Sequence, residues 1–262
     1  MKRPLILVTN DDGITAPGIQ ALVKAVEPLG DLLIVAPDKP QSGMGHAITV
    51  NNVLRLNKTR EFSGLNAYEC SGTPVDCVKL AISHVLKKTP DLIVSGINHG
   101  ANYSTNVLYS GTMSAAVEGA LEGIPAIGFS LLDHGYDADF TASAEIVRHI
   151  TNEVLSKGLP KRICLNVNIP KITISQLKGI KICRQARAYW EDKFDCRKDQ
   201  FGKDYFWLTG EFKNHDGGED TDIWAVENNY VSVVPVHYDL TAYHALEQLN
   251  ETTIDAWKPG KA

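Results

Sequence analysis

The chain has 262 residues, the size of one large α/β domain or of one domain with a sizeable appendage at roughly 100–200 residues per domain. Hydrophobic residues make up 44% and charged residues 22%, so a core can form, and 26 Lys and Arg against 31 Asp and Glu leave a net charge of −5. This mild acidity excludes a protein built mainly to coat a nucleic-acid polymer, whose phosphates call for a basic surface, but admits a small phosphorylated ligand at one local site.

The chain opens with Met1-Lys2-Arg3-Pro4 and the apolar run Leu5–Thr9. That resembles the start of a signal peptide, yet Asn10-Asp11-Asp12 ends the run far too early for one. Leu5–Thr9 is therefore read as a buried strand. Ile19, Leu22, Val23, Val26 and Leu29 follow at helical spacing, and Gly30 ends that helix. Leu32–Ala36 is a second strand, stopped by Pro37 and Pro40. From Ala47 to Cys70, the residues Ile48, Val50, Val53, Leu54 and Leu56 suggest an inserted hairpin. Val75, Val78, Ile82, Val85 and Leu86 mark a helix face, Leu92–Ser95 a third strand, and Ala115–Leu121 a helix of small residues. Pro125–Leu131 is a fourth strand, and Ile146, Val147, Ile150 and Val154 mark the next helix. Strands buried on both faces and joined by helices predict an α/β fold with a mostly parallel sheet, in which ligands bind beyond the carboxyl ends of the strands.

After about Ile169 the pattern changes. Lys178–Cys183 and Val231–Val236 are read as strands. Between them, Tyr189–Trp224 is polar but rich in aromatics, with the turn Asp216-Gly217-Gly218-Glu219-Asp220. It is read as a protruding arm of antiparallel strands whose aromatics, among them Tyr189, Trp190, Phe206 and Trp207, serve a subunit contact. A short helix, Tyr243–Leu249, follows. No apolar run reaches the roughly 20 residues needed to span a bilayer, so no membrane partner is expected. The five cysteines (70, 77, 164, 183 and 196) include no CxxC pair and are read as buried, reduced thiols of a cytoplasmic protein.

Four loops carry the chemistry. Asn10-Asp11-Asp12-Gly13 places two carboxylates side by side at the end of the first strand, a repulsion that a cation offsets; a turn with a capping aspartate is the alternative. Pro37–His46 follows the second strand, offering the Ser42 hydroxyl and the backbone of Gly43 and Gly45; His46 is read as a surface residue. Its GxG has no third glycine and opens no helix, so it is not a dinucleotide fingerprint. Ser95–Asn102 follows the third strand and brings the amide of Asn98. Tyr109–Ser114 precedes the small-residue helix, where hydroxyls and free N–H groups suit a phosphate, or else cap the helix. Asp11, Asp12, Ser42 and Asn98 form an all-oxygen set suited to a hard divalent cation rather than zinc. No P-loop and no GxSxG elbow is present. Gly13 stands where a DxD phosphatase needs its second acid, which leaves a metal-activated water as the expected nucleophile.

The motifs Val8-Thr9-Asn10-Asp11-Asp12-Gly13, Pro40-Gln41-Ser42-Gly43, Gly72-Thr73-Pro74-Val75-Asp76, Val94–Gly100 with Asn102, and Tyr109–Ala116 resemble those of the SurE survival-protein family. The resemblance is strong over roughly residues 4–132 and looser beyond. It implies a Rossmann-like α/β domain, which with the change of pattern after Ile169 is read as a three-layer α/β/α catalytic core over 1–170, followed by a C-terminal part over 171–262 that completes the sheet and carries the arm (about 185–225) and terminal helix. It implies a 5′-nucleotidase that releases phosphate from nucleoside monophosphates, using one divalent cation per subunit (Mg²⁺, Mn²⁺ or Ca²⁺) held by Asp11, Asp12, Ser42 and Asn98. Asp11 and Asp12 are the expected catalytic residues, and Asn10, Gly43, Asn98, Ser110, Gly111 and Thr112 the expected phosphate and substrate contacts. It further implies homodimers or homotetramers with exchanged C-terminal elements. The residues themselves leave open a metal-dependent nucleotide-binding module without turnover, or a structural oligomer whose acid pair is only a turn. They also leave open action on 3′-nucleotides and short polyphosphate.

Overall fold

The computed structural model describes residues 3–135 and 137–251. A nine-stranded sheet organises the chain, in the order β3-β4-β2-β1-β5-β6-β7-β11-β8. Its strands are β1 Leu5–Thr9, β2 Asp31–Pro37, β3 Leu56–Lys58, β4 Asn66–Cys70, β5 Leu92–His99, β6 Ala126–Leu131, β7 Ile163–Ile169, β8 Gly179–Ile182 and β11 Tyr230–His237. The run β4-β2-β1-β5-β6-β7 is parallel, while β3 and β11 pair antiparallel with β4 and β7. The helices are α1 Pro17–Val26, α2 Pro74–Leu80, α3 Gly111–Leu121, α4 Thr141–Lys157, α5 Asp222–Glu227 and α6 Tyr243–Asn250.

Alternation along β1 explains the three layers. Ile6 and Val8 pack into a cluster with Ile19 and Leu22 of α1 and Ile146 and Ile150 of α4. Leu7, between them, packs with Cys77 and Val78 of α2 and Ala115 and Ala116 of α3 on the opposite face. The fold is thus Rossmann-like, and each such side chain, once buried, contributes roughly 1.5–3 kcal/mol. Small residues set how closely the helices approach. A Cβ on Gly18 of α1 would lie 2.0 Å from the Ile97 carbonyl oxygen. β1 also marks where the winding reverses: the chain leaves it toward β2 on one side and returns to β5 on the other, opening a crevice at their carboxyl ends.

Several expectations need correction. The hairpin between Ala47 and Cys70 is confined to β3 and β4, and Ile48, Val50 and Val53 are exposed in an irregular stretch. β4 joins the main sheet by pairing parallel with β2, so the hairpin extends the sheet rather than standing apart. β7 has no counterpart among the strands expected above, because Asn166 and Asn168 interrupt its apolar run. Both are buried and exchange hydrogen bonds with the Asn102 backbone, which no strand pattern reveals. The arm is a hairpin of its own, β9 Ala188–Lys198 and β10 Asp204–Asn214, paired from Ala188↔Asn214 to Lys198↔Asp204. It is shorter than about 185–225, since the Asp/Gly turn folds back on the body. There Asp216 accepts from Arg184 Nη1 at 2.6 Å, and Thr221 caps α5. All five cysteines are free, but Cys196 on β9 is exposed rather than buried.

Candidate active site

The Asn10–Gly13 loop leaves β1 at the crevice and is stitched to the loop after β2. The Gln41 N–H donates to the Asp11 carbonyl at 2.7 Å and Ile14 N–H to the Pro37 carbonyl at 2.8 Å. Gly45 N–H donates in turn to the Tyr109 carbonyl at 3.2 Å, which ties the Ser42 loop to the entrance of α3. The result is a cavity of about 430 Å³ whose lining includes Asp11, Asp12, Ser42, Gly43, Asn98 and Ser110.

The Asp11 carboxyl is buried at the foot of α3, where the Thr112 hydroxyl donates to Oδ1. The fit is close: a Cβ on Gly111 would lie 2.6 Å from the Asp11 Cβ, so that position admits no side chain. Burial, and after it the neighbouring Asp12 charge, pushes the Asp11 carboxyl up to about 6. Burial also raises Asp12, offset in part by the His99 N–H, which donates to its Oδ2 at 3.4 Å. Neither carboxylate belongs to an ion pair among the described residues. The Asn98 amide gives its N–H to the Gly100 carbonyl at 2.8 Å, and its oxygen has no donor among the described residues. Among the described residues no three His, Cys, Asp or Glu gather as a metal cluster. The donors here are instead two carboxylates, a hydroxyl and an amide oxygen. A pair of uncompensated, desolvated carboxylates with neutral oxygen donors beside it fits a hard divalent cation.

Three of the expected contacts lie behind the cavity wall. Asn10 turns its amide N–H to the Gly13 carbonyl at 2.9 Å, and its Oδ1 is buried without a hydrogen-bond partner among the described residues. Gly111 backs onto Asp11, and the Thr112 hydroxyl is committed to Asp11 rather than open to a phosphate. Ser110 lines the cavity, but its hydroxyl caps α3 by accepting from Met113 N–H at 3.0 Å. His46 lies away from the cavity, paired with the buried Glu118 of α3 at 2.9 Å.

A family model described as survival protein SurE matches residues 6–192. This chain belongs to the SurE family. The 5′-nucleotidase SurE of Flavobacterium psychrophilum is 62% identical over 251 residues, covering 95% of this chain and 98% of that protein. The 5′-nucleotidase SurE of Bacteroides fragilis is 49% identical, covering 95% and 97%. The crystal structure of the SurE protein from Aquifex aeolicus superposes with a TM-score of 0.82 at 40% identity, covering 94% of this chain and 98% of that one.

The SurE cavity also holds residues that sequence reasoning missed. Tyr103, Asn106, Tyr109 and His134 come from loops after β5 and β6, and Trp190 and Phe212 come from the arm. Tyr109 opens one of the quoted motifs and could have been singled out on that ground. Trp190 and Phe212 carry no local signal, because only the return of the arm across the turn at 104–108 brings them in.

Proposed function

We infer that the chain is a metal-dependent 5′-nucleotidase that hydrolyses nucleoside monophosphates to nucleoside and phosphate. The observation that carries this is the buried acid pair at the β1/β5 crevice, in a chain 62% identical to a curated 5′-nucleotidase over nearly its full length. In this reading Asp11, Asp12, Ser42 and Asn98 hold one divalent cation per subunit, of the oxygen-seeking kind of Mg²⁺, Mn²⁺ or Ca²⁺. Such a cation supplies Lewis acidity, stabilising charge on phosphoryl oxygens and acidifying water.

The side chains do the rest. Thr112 fixes Asp11 by its hydroxyl, and His99 N–H steadies Asp12. Asp12, less buried than Asp11, takes the proton of the attacking water in this reading. Ser42, the Gly43 backbone and Ser110 receive the phosphate where the N-terminus of α3 favours an anion. Asn10 supports the turn, and Gly111 and Thr112 act through Asp11. No DxD acid is available for a phosphoaspartate route, so hydrolysis in one displacement with inversion at phosphorus is expected.

We further propose a cytoplasmic homodimer or homotetramer. Five free cysteines suit a reducing compartment. Phe194, Phe206 and Trp207 are each about 60% exposed or more on the arm and suit a contact with a second copy. The deciding experiment is phosphate release from a panel of nucleoside monophosphates with Mg²⁺, Mn²⁺ or Ca²⁺. Release that stops with chelator and returns with metal is expected. Metal-independent release, or tight nucleotide binding with no release, would overturn the reading.

A further inference from the structure

The arm reaches the acid-pair cavity as well as standing clear of the body. Trp190, two residues into β9, lines the 430 Å³ cavity together with Asp11 and Asp12. It also lines an adjoining cavity of about 720 Å³, and Tyr109 is shared between the two in the same way. The indole is held in place. Its Nε1 donates to Asn106 Oδ1 at 2.9 Å, and the Phe212 ring stands edge-on at 5.6 Å. The base of the arm is moored to the same turn. Ser104 Oγ lies within hydrogen-bonding distance of the Ala186 and Ala188 carbonyls, at 2.9 and 2.8 Å, and Asp222 Oδ2 accepts from Ser104 N–H at 2.8 Å. Yet 47% of Trp190 and 61% of Tyr109 remain exposed, an open aromatic surface beside an oxygen-rich pocket. A planar, apolar group attached to a phosphate by a short polar spacer would bridge the two, and a nucleoside monophosphate has that form.

We propose that Trp190 is the stacking wall for the substrate's nucleobase, that Asn106 is the positioning residue that sets the indole plane, and that purines, with their larger ring face, are preferred to pyrimidines. This deepens the nucleotidase reading and rests on it. The arm thereby contributes to substrate selection from within the same chain.

The test compares adenosine and cytidine 5′-monophosphates with ribose 5-phosphate, which carries the same ester without a base. In Trp190→Ala the ratio of kcat/KM for the adenine nucleotide to that for ribose 5-phosphate should fall about tenfold or more, chiefly through KM. The purine preference should shrink with it. Trp190→Phe should restore most of the ratio, and Asn106→Ala should lower it by less than Trp190→Ala does. An unchanged ratio in Trp190→Ala overturns the proposal. So do equal losses on all three substrates with a smaller particle by light scattering, since Trp190 would then be a subunit contact. Should the wild-type protein release phosphate from none of the three, the nucleotidase reading itself fails and this inference with it.

Discussion

Asp11 sits at the end of a strand buried on both faces, under a helix that leaves no room for a side chain at Gly111. Trp190 sits on a two-stranded ribbon most of whose side chains face outward. Both line one cavity. The core fixes its carboxylate by packing and by the hydroxyl of Thr112, which holds the acid where burial opposes its charge. The arm has no core of its own and fixes its indole through a hydrogen bond and mooring contacts at its base. The two regions should therefore respond differently: perturbing the core loops should change chemistry and folding, while perturbing the outer arm should change assembly.

The largest expected effect is on chemistry. Asp11→Asn should cut phosphate release by several kcal/mol of transition-state stabilisation and weaken metal binding by calorimetry. Full activity in the folded variant would break the comparison at its centre. Next is a packing test. Gly18→Ala drives a Cβ into the Ile97 carbonyl, so α1 must shift against β5. A loss of about 3 kcal/mol or more is expected in urea unfolding, toward the upper end for overpacking.

A third, comparable effect is one of pH. A carboxyl whose pKa is raised on folding stabilises the fold below its unfolded value and loses that contribution as pH rises through the folded value. For Asp11 the window runs from about 3.8 to about 6, worth on the order of 3 kcal/mol at about 1.4 kcal/mol per unit. In chelator, the wild-type protein should lose stability across this window relative to Asp11→Asn, and added divalent cation should restore it at pH 7 in the wild type alone. Parallel thermal-melting curves for the two proteins would show that Asp11 carries no such burden.

Smaller still, removing residues 192–210 and closing the ribbon with a tight turn should reduce particle size in light scattering while metal affinity is kept. An unchanged particle would place the interface elsewhere. At the low end, Phe206→Ser should change the unfolding free energy of the isolated subunit by no more than about 0.5 kcal/mol, because the ring is 60% exposed. A larger loss would mean the arm packs into its own chain.

Much of the architecture was legible because it is written in local pattern. Continuous apolar runs such as Leu5–Thr9 and Leu32–Ala36 can be satisfied only between two layers of helix, and the loops that follow parallel strands must emerge on one edge. That alone brought Asp11, Asp12, Ser42 and Asn98 to the same crevice. What the pattern could not carry was any element whose partner lies far along the chain. β7 hides behind two asparagines whose hydrogen bonds are made by Asn102. Ile48, Val50 and Val53 look like strand residues and stay exposed, because β4 takes the place beside β2. The Asp216–Asp220 turn falls within the stretch read as the arm and is instead clamped by Arg184 at its base. Side-chain orientation at the cavity was likewise decided in three dimensions. Thr112 could face a phosphate or Asp11, and only the approach of α3 to the end of β1 selects Asp11. The sequence by itself determined the continuous strand runs such as Leu5–Thr9 and Leu32–Ala36, their alternation with helices and the edge on which the acids lie, since these follow from hydrophobic periodicity along the chain. Tertiary structure alone decided where the arm begins and that Trp190 enters the cavity, since those rest on contacts between residues more than 80 positions apart.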